Sequence, residues 1–394
     1  MDNVHRSDSL PGATRDSAGV YLRNAVNVTF DALGKPKLIT GTAKIYSGTG
    51  IHSFWRGYFI EGTDLKFLNP DNTATTLGAV GSRPMGYASV GNRVFCGNGL
   101  SGYVIKDGVL SQLGVEVPSP PEVAVTSIGG LYGGDYQVAI AFMRGEEESG
   151  LSFVRKVSVL DGQGISVTLP AYPADITGLS VYCSSVNGDE LFLYSEEGLG
   201  VTEVSIINEL TSIRCETQFL YPPVLSSVMQ AHYGRIYWAD GNLLRWTEAQ
   251  RYGYTRAGYY APFDGEITLI AEIPGTIYVC AGKTYRLTNI DGDGFPQRME
   301  VFGYGAVKGT LTYDEITKTA YWQSQRGFVK ATVEGATEML DGIIAMPSYN
   351  KGCMTLSKQN GVRNLISVSQ GGTPSLLQDR DFKAAEILRT GSAL

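Results

Sequence analysis

The chain has 394 residues and a formal net charge of −7, from 32 basic and 39 acidic side chains. No run of five like charges occurs, which argues against a basic nucleic-acid clamp. The sequence contains no apolar run of about 20 residues, which a membrane-spanning helix would need. Met1–Arg6 lacks the apolar core of a signal peptide. We therefore expect a soluble protein, made in the cytoplasm and without a membrane anchor.

The composition favours β-structure over helices. Forty-nine glycines and 23 tyrosines, with frequent Val, Ile and Thr, are typical of many short strands joined by glycine turns. Five cysteines lie far apart in the sequence. Cys96, Cys183 and Cys280 stand in apolar, strand-like runs, so we predict reduced, buried thiols and neither disulfides nor metal ligands.

The chain begins with a polar arm, residues 1–18, that we expect to be ordered only by a partner. Residues 20–39 then give two strand-like runs around a turn at Asp31–Lys35. A closed ring of sheets commonly mixes N-terminal strands into its last unit. We therefore predict that this hairpin completes the unit around Ile366.

A repeated hairpin pattern dominates the rest of the chain. In residues 234–246, Ile236–Trp238 predicts a strand, Asp240–Gly241 a tight turn and Leu243–Trp246 the returning strand. The equivalent positions of the repeat are Phe59, Phe95, Tyr237, Tyr278, Tyr321 and Ile366. All but one of the steps between them are roughly 36–45 residues long, which predicts an all-β β-propeller of about six to seven blades.

The exceptional step, from Phe95 to Tyr237, indicates an insertion of about 100 residues, the size of one β-sandwich. Proline clusters at 118–121 and 221–223 bracket it. Alternation in Tyr136–Phe142 places every second side chain on one face, so we predict an immunoglobulin-like or fibronectin-like sandwich. Within it, the acidic run Glu146–Gly150 is predicted to be a solvated hairpin turn.

These observations predict five segments. They are an N-terminal arm (1–18), a first propeller part with closing strands and two blades (19–117), the inserted sandwich (118–222), a second propeller part (223–374) and a C-terminal tail (375–394). The tail contains the short amphipathic stretch Asp381–Arg389, which we expect to dock on a subunit or on the ring.

Two candidate sites lie in the second propeller part. The first is an aromatic loop that we expect either to pack on a neighbour or to line a ligand site: Tyr252, Tyr254, Tyr259, Tyr260 and Phe263. The second has the spacing of a calcium loop, with oxygen ligands at Asn289, Asp291, Asp293 and Glu300. Asn at the first position and strand-like flanks depart from the EF-hand pattern, and a polar turn is the alternative interpretation.

The sequence predicts no catalytic residues. The only histidines are His5, His52 and His232, and no two have the spacing of a metal-binding pair. No nucleophile elbow and no local Cys–His signature occurs. Paired carboxylates that meet only in space stay open as an alternative.

Several stretches resemble a known family. Pro11–Arg15, Ala25–Val28 and Gly34–Lys37 resemble the opening of phage tail proteins in which a strand pair precedes a propeller. Four stretches resemble the fibronectin-type insert of these proteins: Leu131–Phe142, Glu147–Gly150, Gly164–Leu169 and Leu179–Tyr182. His232–Leu243 resembles the propeller strands that follow the insert. The family is the tail nozzle, or tail-tube, protein of short-tailed bacteriophages.

The resemblance implies a structural virion protein without chemistry of its own. Members of the family form a ring, typically six-fold, below the head-to-tail adaptor, and the genome leaves through the channel. The resemblance thus implies a homo-oligomer in the phage tail that contacts the adaptor and other tail proteins, and past which DNA moves without sequence-specific binding. Two alternatives stay open: a host-receptor or glycan-binding tail protein that uses the tyrosine-rich loop, and a propeller glycosidase or lyase.

Overall fold

The computed structural model describes residues 28–30, 36–38, 44–208, 212–290, 296–339, 349–359 and 362–370. Every regular element in these ranges is a β-strand, and every strand pairing between them is antiparallel, so the prediction of an all-β protein is confirmed. Within the same ranges, no helix has the length and apolar character that crossing a bilayer would need.

The first two strands form a hairpin, and two four-stranded sheets follow. The strands are β1 (Val28–Phe30), β2 (Pro36–Leu38), β3 (Ile51–Trp55), β4 (Tyr58–Glu61), β5 (Asp64–Leu68), β6 (Ala74–Ala79), β7 (Gly86–Val90), β8 (Arg93–Gly97), β9 (Gly102–Lys106) and β10 (Val109–Gln112). Strands β3–β6 form sheet 1 and β7–β10 form sheet 2, each paired in chain order. Such meanders need only short turns, which the glycines supply.

A unit of two facing sheets comes next, and we call it the two-sheet unit. Its strands are β11 (Glu122–Leu131), β12 (Gly134–Arg144), β13 (Glu147–Glu148), β14 (Arg155–Val159), β15 (Gln163–Thr168), β16 (Gly178–Ser184), β17 (Leu191–Gly198) and β18 (Glu203–Ile206). One sheet has the order β11-β15-β18, and the other joins β13, β12, β16 and β17, with β14 also paired to β12.

The core of the two-sheet unit confirms the alternation predicted for Tyr136–Phe142. Val138 and Ile140 from one sheet pack with Ile165 and Ile206 from the other, all with no exposed surface. Alternation puts every second side chain of β12 on this face. The remaining residues, such as Ala139, face a smaller apolar cluster on the other side of the sheet.

Three more four-stranded sheets and two strand pairs complete the described chain. The strands are β19 (Leu220–Tyr221), β20 (Met229–His232), β21 (Arg235–Asp240), β22 (Leu243–Trp246), β23 (Thr255–Arg256), β24 (Tyr260–Pro262), β25 (Leu269–Ile273), β26 (Thr276–Ala281), β27 (Lys283–Thr288), β28 (Gln297–Phe302), β29 (Thr312–Asp314), β30 (Thr319–Gln323), β31 (Phe328–Ala331), β32 (Ala336–Met339), β33 (Lys351–Gln359) and β34 (Val362–Gln370). Sheet 3 is β20-β21-β22-β24, sheet 4 is β25–β28 and sheet 5 is β29–β32. Strand β19 pairs with β23, and β33 pairs with β34.

The predicted repeat has a structural basis in the second strand of each sheet. Phe59, Phe95, Tyr237, Tyr278 and Tyr321 lie on β4, β8, β21, β26 and β30 respectively. Four of these five side chains are buried, and Tyr321 is half-buried.

Both faces of the second strands of sheets 2, 3 and 4 are covered, because each of these sheets shares an apolar cluster with the sheet on either side of it. On β26, Ile277 packs against sheet 3, whereas Tyr278 packs against Trp322 of sheet 5. In the same way, Phe95 of sheet 2 packs with Ile236 of sheet 3. A strand that is buried on both faces needs apolar side chains without interruption.

Two further predictions can be compared with the structure. Strands β1 and β2 form a sheet of their own, and β33–β34 another, so within the described residues the N-terminal hairpin is not paired with the unit around Ile366. Cys96, Cys183 and Cys280 are buried, free thiols, as predicted, and burial raises the pKa of each to about 12.

Candidate functional site

Glycines bring the two-sheet unit into direct backbone contact with the rest of the chain. A Cβ atom built on Gly150 would lie 1.7 Å from the backbone oxygen of Leu220 on β19. A Cβ on Gly114, which has a φ of +73°, would lie 2.3 Å from the oxygen of Gly253. Only residues without a side chain allow these approaches. We call this region, where residues 112–117 and 144–150 meet residues 217–221 and 250–254, the junction.

Glu148 is the centre of the hydrogen bonding at the junction. Its backbone oxygen accepts a hydrogen bond from the hydroxyl of Tyr254. Its carboxylate accepts hydrogen bonds from Tyr182 Oη at 2.6 Å and from Thr217 Oγ1 at 3.2 Å. Burial, followed by the hydrogen bond to Glu148, raises the pKa of Tyr182. The phenol therefore stays a donor at neutral pH.

These contacts correct the prediction of a solvated turn at Glu146–Gly150. The turn itself is at Gly145–Glu146, and both residues are exposed. Glu148, however, is half-buried and bonded, while Gly150 is buried. The partners of Glu148 lie far away in the chain, so the local sequence gives no sign of them.

Arg144 binds the end of β12 to the connection that follows sheet 2. Its Nη2 atom donates to the backbone oxygens of Gln112 and Gly114, at 3.1 and 3.0 Å, and to Glu147 Oε2 at 2.7 Å. Nη2 carries two hydrogens, so one of them is shared between two of these acceptors, and Nη1 donates to Asp175 Oδ2 at 3.3 Å. The hydrogen-bonding capacity of this arginine is therefore used within the fold.

The tyrosine-rich loop is mostly built into the protein. Tyr254 and Phe263 are buried. The ring of Tyr259 stacks on Trp246, with centroids 5.7 Å apart. Tyr260 is 40% exposed and lies under the guanidinium of Arg245. The structure therefore does not bring the five predicted aromatic residues together on one surface.

Tyr252 and Tyr254 do line a cavity of about 310 Å³ beside the junction. Arg93 and Phe95 of sheet 2, Arg144 of the two-sheet unit and Arg251 of the loop also contribute to its wall. The ring of Tyr252 lies 4.9 Å from that of Phe95, and the guanidinium of Arg251 lies 4.8 Å from the centre of the Tyr254 ring. The cavity thus combines aromatic surface with three arginines, against one glutamate, Glu147.

A second cavity, of about 560 Å³, lies where the first strands of the sheets converge. Trp55, Tyr87, Met229, Leu269 and Thr312 border it, one from the first strand of each of sheets 1 to 5. Residues 354–356 of β33 border it as well. We call it the axial cavity.

An ion pair spans the sheets beside the axial cavity. Arg56, in the turn after β3, pairs with Glu315, in the turn after β29. Both side chains are more than half exposed, so the pair adds little to stability. The ion pair does show that sheets 1 and 5, which are far apart in the sequence, meet at one end of the cavity.

The predicted calcium ligands are only partly described. Asn289 follows β27 with a φ of +57°, whereas Asp291 and Asp293 lie outside the described residues. Glu300 lies on β28 opposite Tyr285, and its carboxylate binds Lys283 Nζ at 2.7 Å. Tyr285 precedes Asn289 by four residues, roughly 13 Å of extended strand. The structure does not bring Asn289 and Glu300 together, and calcium binding stays a prediction.

One histidine forms a buried contact between sheets. His232 Nδ1 of β20 lies 3.1 Å from Glu272 Oε1 of β25, and the histidine side chain is 1% exposed. In the described part of the chain, no group of three or more His, Cys, Asp or Glu side chains is placed to hold a metal ion. We interpret His232 as a link between sheets 3 and 4.

The sequence did not draw attention to Arg93 and Lys106. The register of sheet 2 places them directly opposite each other on β8 and β9. The sequence did contain one indication of this face: Arg93 and Phe95 are two residues apart in a strand and therefore point to the same side of β8. That face could be identified as the cavity wall only with the position of the loop at 250–254.

The comparisons with known proteins identify no family. No family model matches the chain, and no curated protein matches it. Among solved structures, it is similar to BBS1N in complex with ARL6DN, with a TM-score of 0.29 and 10% identity over 82% of this chain and 90% of that one. It is also similar to the extracellular domain of the putative one-component system BT4673 from B. thetaiotaomicron, with a TM-score of 0.24 and 9% identity over 87% and 61% of the two chains.

A third similar structure is apo AztD from Citrobacter koseri, with a TM-score of 0.24 and 12% identity over 88% of this chain and 90% of that one. With TM-scores below 0.5, these similarities assign no function to the chain.

Proposed function

We propose that the chain is a structural protein of a bacteriophage tail, one subunit of an oligomeric ring around the channel through which DNA leaves. The family resemblance in the sequence motivates the proposal. The junction supports it, because a two-sheet unit fixed by Gly150, Glu148 and Arg144 makes the subunit a stiff building block.

In finer detail, the proposed architecture is a six-bladed β-propeller with an inserted β-sandwich. Sheets 1 to 5 are five blades, and the strands at 351–370 belong to the sixth. Support comes from the first strands, which border the axial cavity together, and from second strands covered on both faces. The two-sheet unit is the proposed sandwich, since its two sheets share one core.

The observation that carries the proposal is the apolar surface of the two-sheet unit. Phe153, Ile128 and Leu160 are 84%, 75% and 71% exposed. Scattered exposed apolar residues are ordinary on a protein surface, whereas a contiguous apolar patch is typical of protein contacts, and we propose that these three residues belong to such a patch. In the proposed ring, they contact neighbouring subunits or the adaptor.

The charge of the chain is compatible with a passage for DNA. A net charge of −7 repels phosphates, so DNA moves past such a subunit without being retained. We expect the lumen of the assembled ring to be neutral to acidic, with basic residues only in sparse rings. A continuous Arg/Lys lining would contradict this part of the proposal.

Light scattering coupled to size exclusion tests the proposal, followed by imaging of the purified assembly. A ring of six subunits has a mass six times that of the 42.5 kDa chain. Phe153→Asp should shift the assembly towards monomers, because an exposed side chain adds nothing to the monomer's own core. Val333→Asp, at another exposed position, serves as the matched control. A protein that is monomeric at all concentrations, or imaged without a ring, would refute the proposal.

A further inference from the structure

The face of sheet 2 that lines the cavity beside the junction carries two cross-strand rows. Opposite residues in antiparallel strands share a face. One row contains Phe95 and Val104, and the next contains Arg93 and Lys106. The apolar row lies under Tyr252, as the 4.9 Å contact between the rings of Phe95 and Tyr252 shows. The basic row lies next to it and is exposed; Arg93 lines the cavity, and Lys106 is its cross-strand partner just outside the lining.

Two like charges placed directly opposite each other destabilise a sheet. A carboxylate between them would relieve the repulsion, but within the described part of the chain neither Arg93 nor Lys106 forms an ion pair. Glu147, the carboxylate on the cavity wall, is already bonded to Arg144 at 2.7 Å. In a chain with more acidic than basic residues, this row is an available anion-binding group.

The aromatic wall is held in place before any ligand arrives. The amide of Gln250 donates to the oxygen of Gly234 at 2.6 Å, and that of Tyr254 donates to the oxygen of Arg251 at 3.1 Å. Gly253 is in contact with Gly114 on the opposite wall. A loop fixed in this way loses little conformational entropy when a ligand binds. Tyr252, half-buried on Phe95, offers the remainder of its ring to the cavity.

We infer that the cavity beside the junction binds an acidic saccharide. The sugar's oxyanion, a carboxylate or a phosphate, binds between Arg93 and Lys106, and the apolar face of its ring packs against Tyr252. The volume of about 310 Å³ is at the small end of the range for ligand pockets and suits one or two sugar rings. A nucleic acid fits less well, because the surrounding chain is acidic and the basic row is short. The inference does not depend on ring assembly.

Isothermal titration calorimetry on the full chain tests the inference. The probes are a galacturonic acid trisaccharide, a hexose 6-phosphate, a neutral galactose trisaccharide and a nucleoside monophosphate. We expect at least one acidic sugar to bind, and the neutral trisaccharide to bind about tenfold more weakly or not at all. Binding should weaken as salt concentration rises, because the basic row is exposed. The two acidic probes distinguish a carboxylate from a phosphate as the recognised group.

Arg93→Gln and Lys106→Gln are the variants, since both side chains are exposed and lie outside the core. Each should weaken binding of the acidic sugar by about tenfold or more. Arg83→Gln is the control, an exposed arginine in the connection before β7 that belongs neither to the cavity lining nor to the two cross-strand rows. It should leave binding unchanged.

Four outcomes would overturn the inference, three of which concern the sugars and the variants. They are the absence of binding to both acidic sugars at about 10 mM, equal binding of the neutral trisaccharide, or variants at Arg93 and Lys106 that bind like the wild type. Binding of the nucleoside monophosphate alone would also reject a saccharide. None of these outcomes bears on whether the chain forms a ring.

Discussion

Replacing Gly150 by alanine should separate the two-sheet unit from the rest of the protein. The new Cβ would lie 1.7 Å from the oxygen of Leu220, and real Cβ atoms essentially never come within 3.0 Å of such an atom. One of the two backbones must therefore move by more than 1 Å. The obstacle is a backbone oxygen on β19, which pairs with β23 and cannot rotate away as a side chain could.

The cost can be worked out from the bonds that a shift would strain. Residues 149–152 are held on β12 by two hydrogen bonds of 2.8 Å, from the Ser149 and Ser152 amides to the oxygens of Phe142 and Ile140. Each contributes about 0.5–1.5 kcal/mol, and overpacking alone costs typically about 1–3 kcal/mol. We expect a loss of about 2–6 kcal/mol in the free energy of unfolding, the upper end applying if both bonds are lost.

Urea unfolding, followed by tryptophan fluorescence, and limited proteolysis provide the measurement. Gly150→Ala should lower the urea midpoint and expose the connections near 118–121 and 221–223 to protease. Gly198→Ala is the matched control in the same unit, because its Cβ would meet nothing within 4 Å and its φ is not in the left-handed region. It should be neutral or slightly stabilising. If the two variants were equally stable, the backbone contact at Gly150 would not hold the unit.

Two further predictions follow from the junction and from the buried thiols. Tyr254→Phe should cost about 1–2 kcal/mol in urea unfolding, because the backbone oxygen of Glu148 loses its donor, whereas Tyr260→Phe, at a more exposed position, should cost nothing measurable. Alkylation of the folded protein at pH 8 should modify Cys353 rapidly and spare Cys96, Cys183 and Cys280, which are buried with raised pKa values; mass spectrometry before and after unfolding checks this. The same thiols bind protons more tightly when folded, so the stability that they contribute is complete below pH about 8.5 and declines between there and pH about 12. Circular dichroism from pH 7 to 12 follows this loss of stability. If Cys→Ser variants at these three positions lost stability at alkaline pH as the wild type does, the buried thiols would not be its cause.

The repeat could be predicted because its cause is local. A second strand that is covered on both faces needs a continuous apolar run, and the runs Ile277–Ala281 and Ile236–Ala239 are recognisable without knowledge of their neighbours. Glycine and aspartate mark the turns between strands in the same local way. The alternation of Tyr136–Phe142 was equally readable, since one face of β12 belongs to the core of the two-sheet unit.

The junction and the cavity could not be predicted, because their contacts join distant parts of the chain. Glu148 was interpreted as a solvated carboxylate, but Thr217 and Tyr254 come from sequence positions far beyond any local pattern. The aromatic loop is expected from sequence either to pack on a neighbour or to line a ligand site, but Tyr259 and Phe263 face different neighbours within the chain, Trp246 and Tyr285. A count of tyrosines indicates aromatic surface but does not indicate which sheet covers it.

The junction connects stability to recognition in this chain. Arg144 reaches the cavity from the two-sheet unit, Tyr252 from the loop after sheet 3, and Arg93 from sheet 2, so the cavity exists only while all three are docked. Loss of the backbone contact at Gly150 would leave Arg93, Lys106 and Tyr252 in place but remove the part of the wall that the two-sheet unit supplies, Arg144 and Glu147. A saccharide that needs both the cations and the wall would then be lost together with docking, whereas an ion that needs only the cations would still bind. Measuring the binding of both the sugar and inorganic phosphate to Gly150→Ala therefore distinguishes two cases. Loss of sugar binding alone indicates that recognition needs the enclosed cavity, whereas retention of both indicates that the basic row is sufficient.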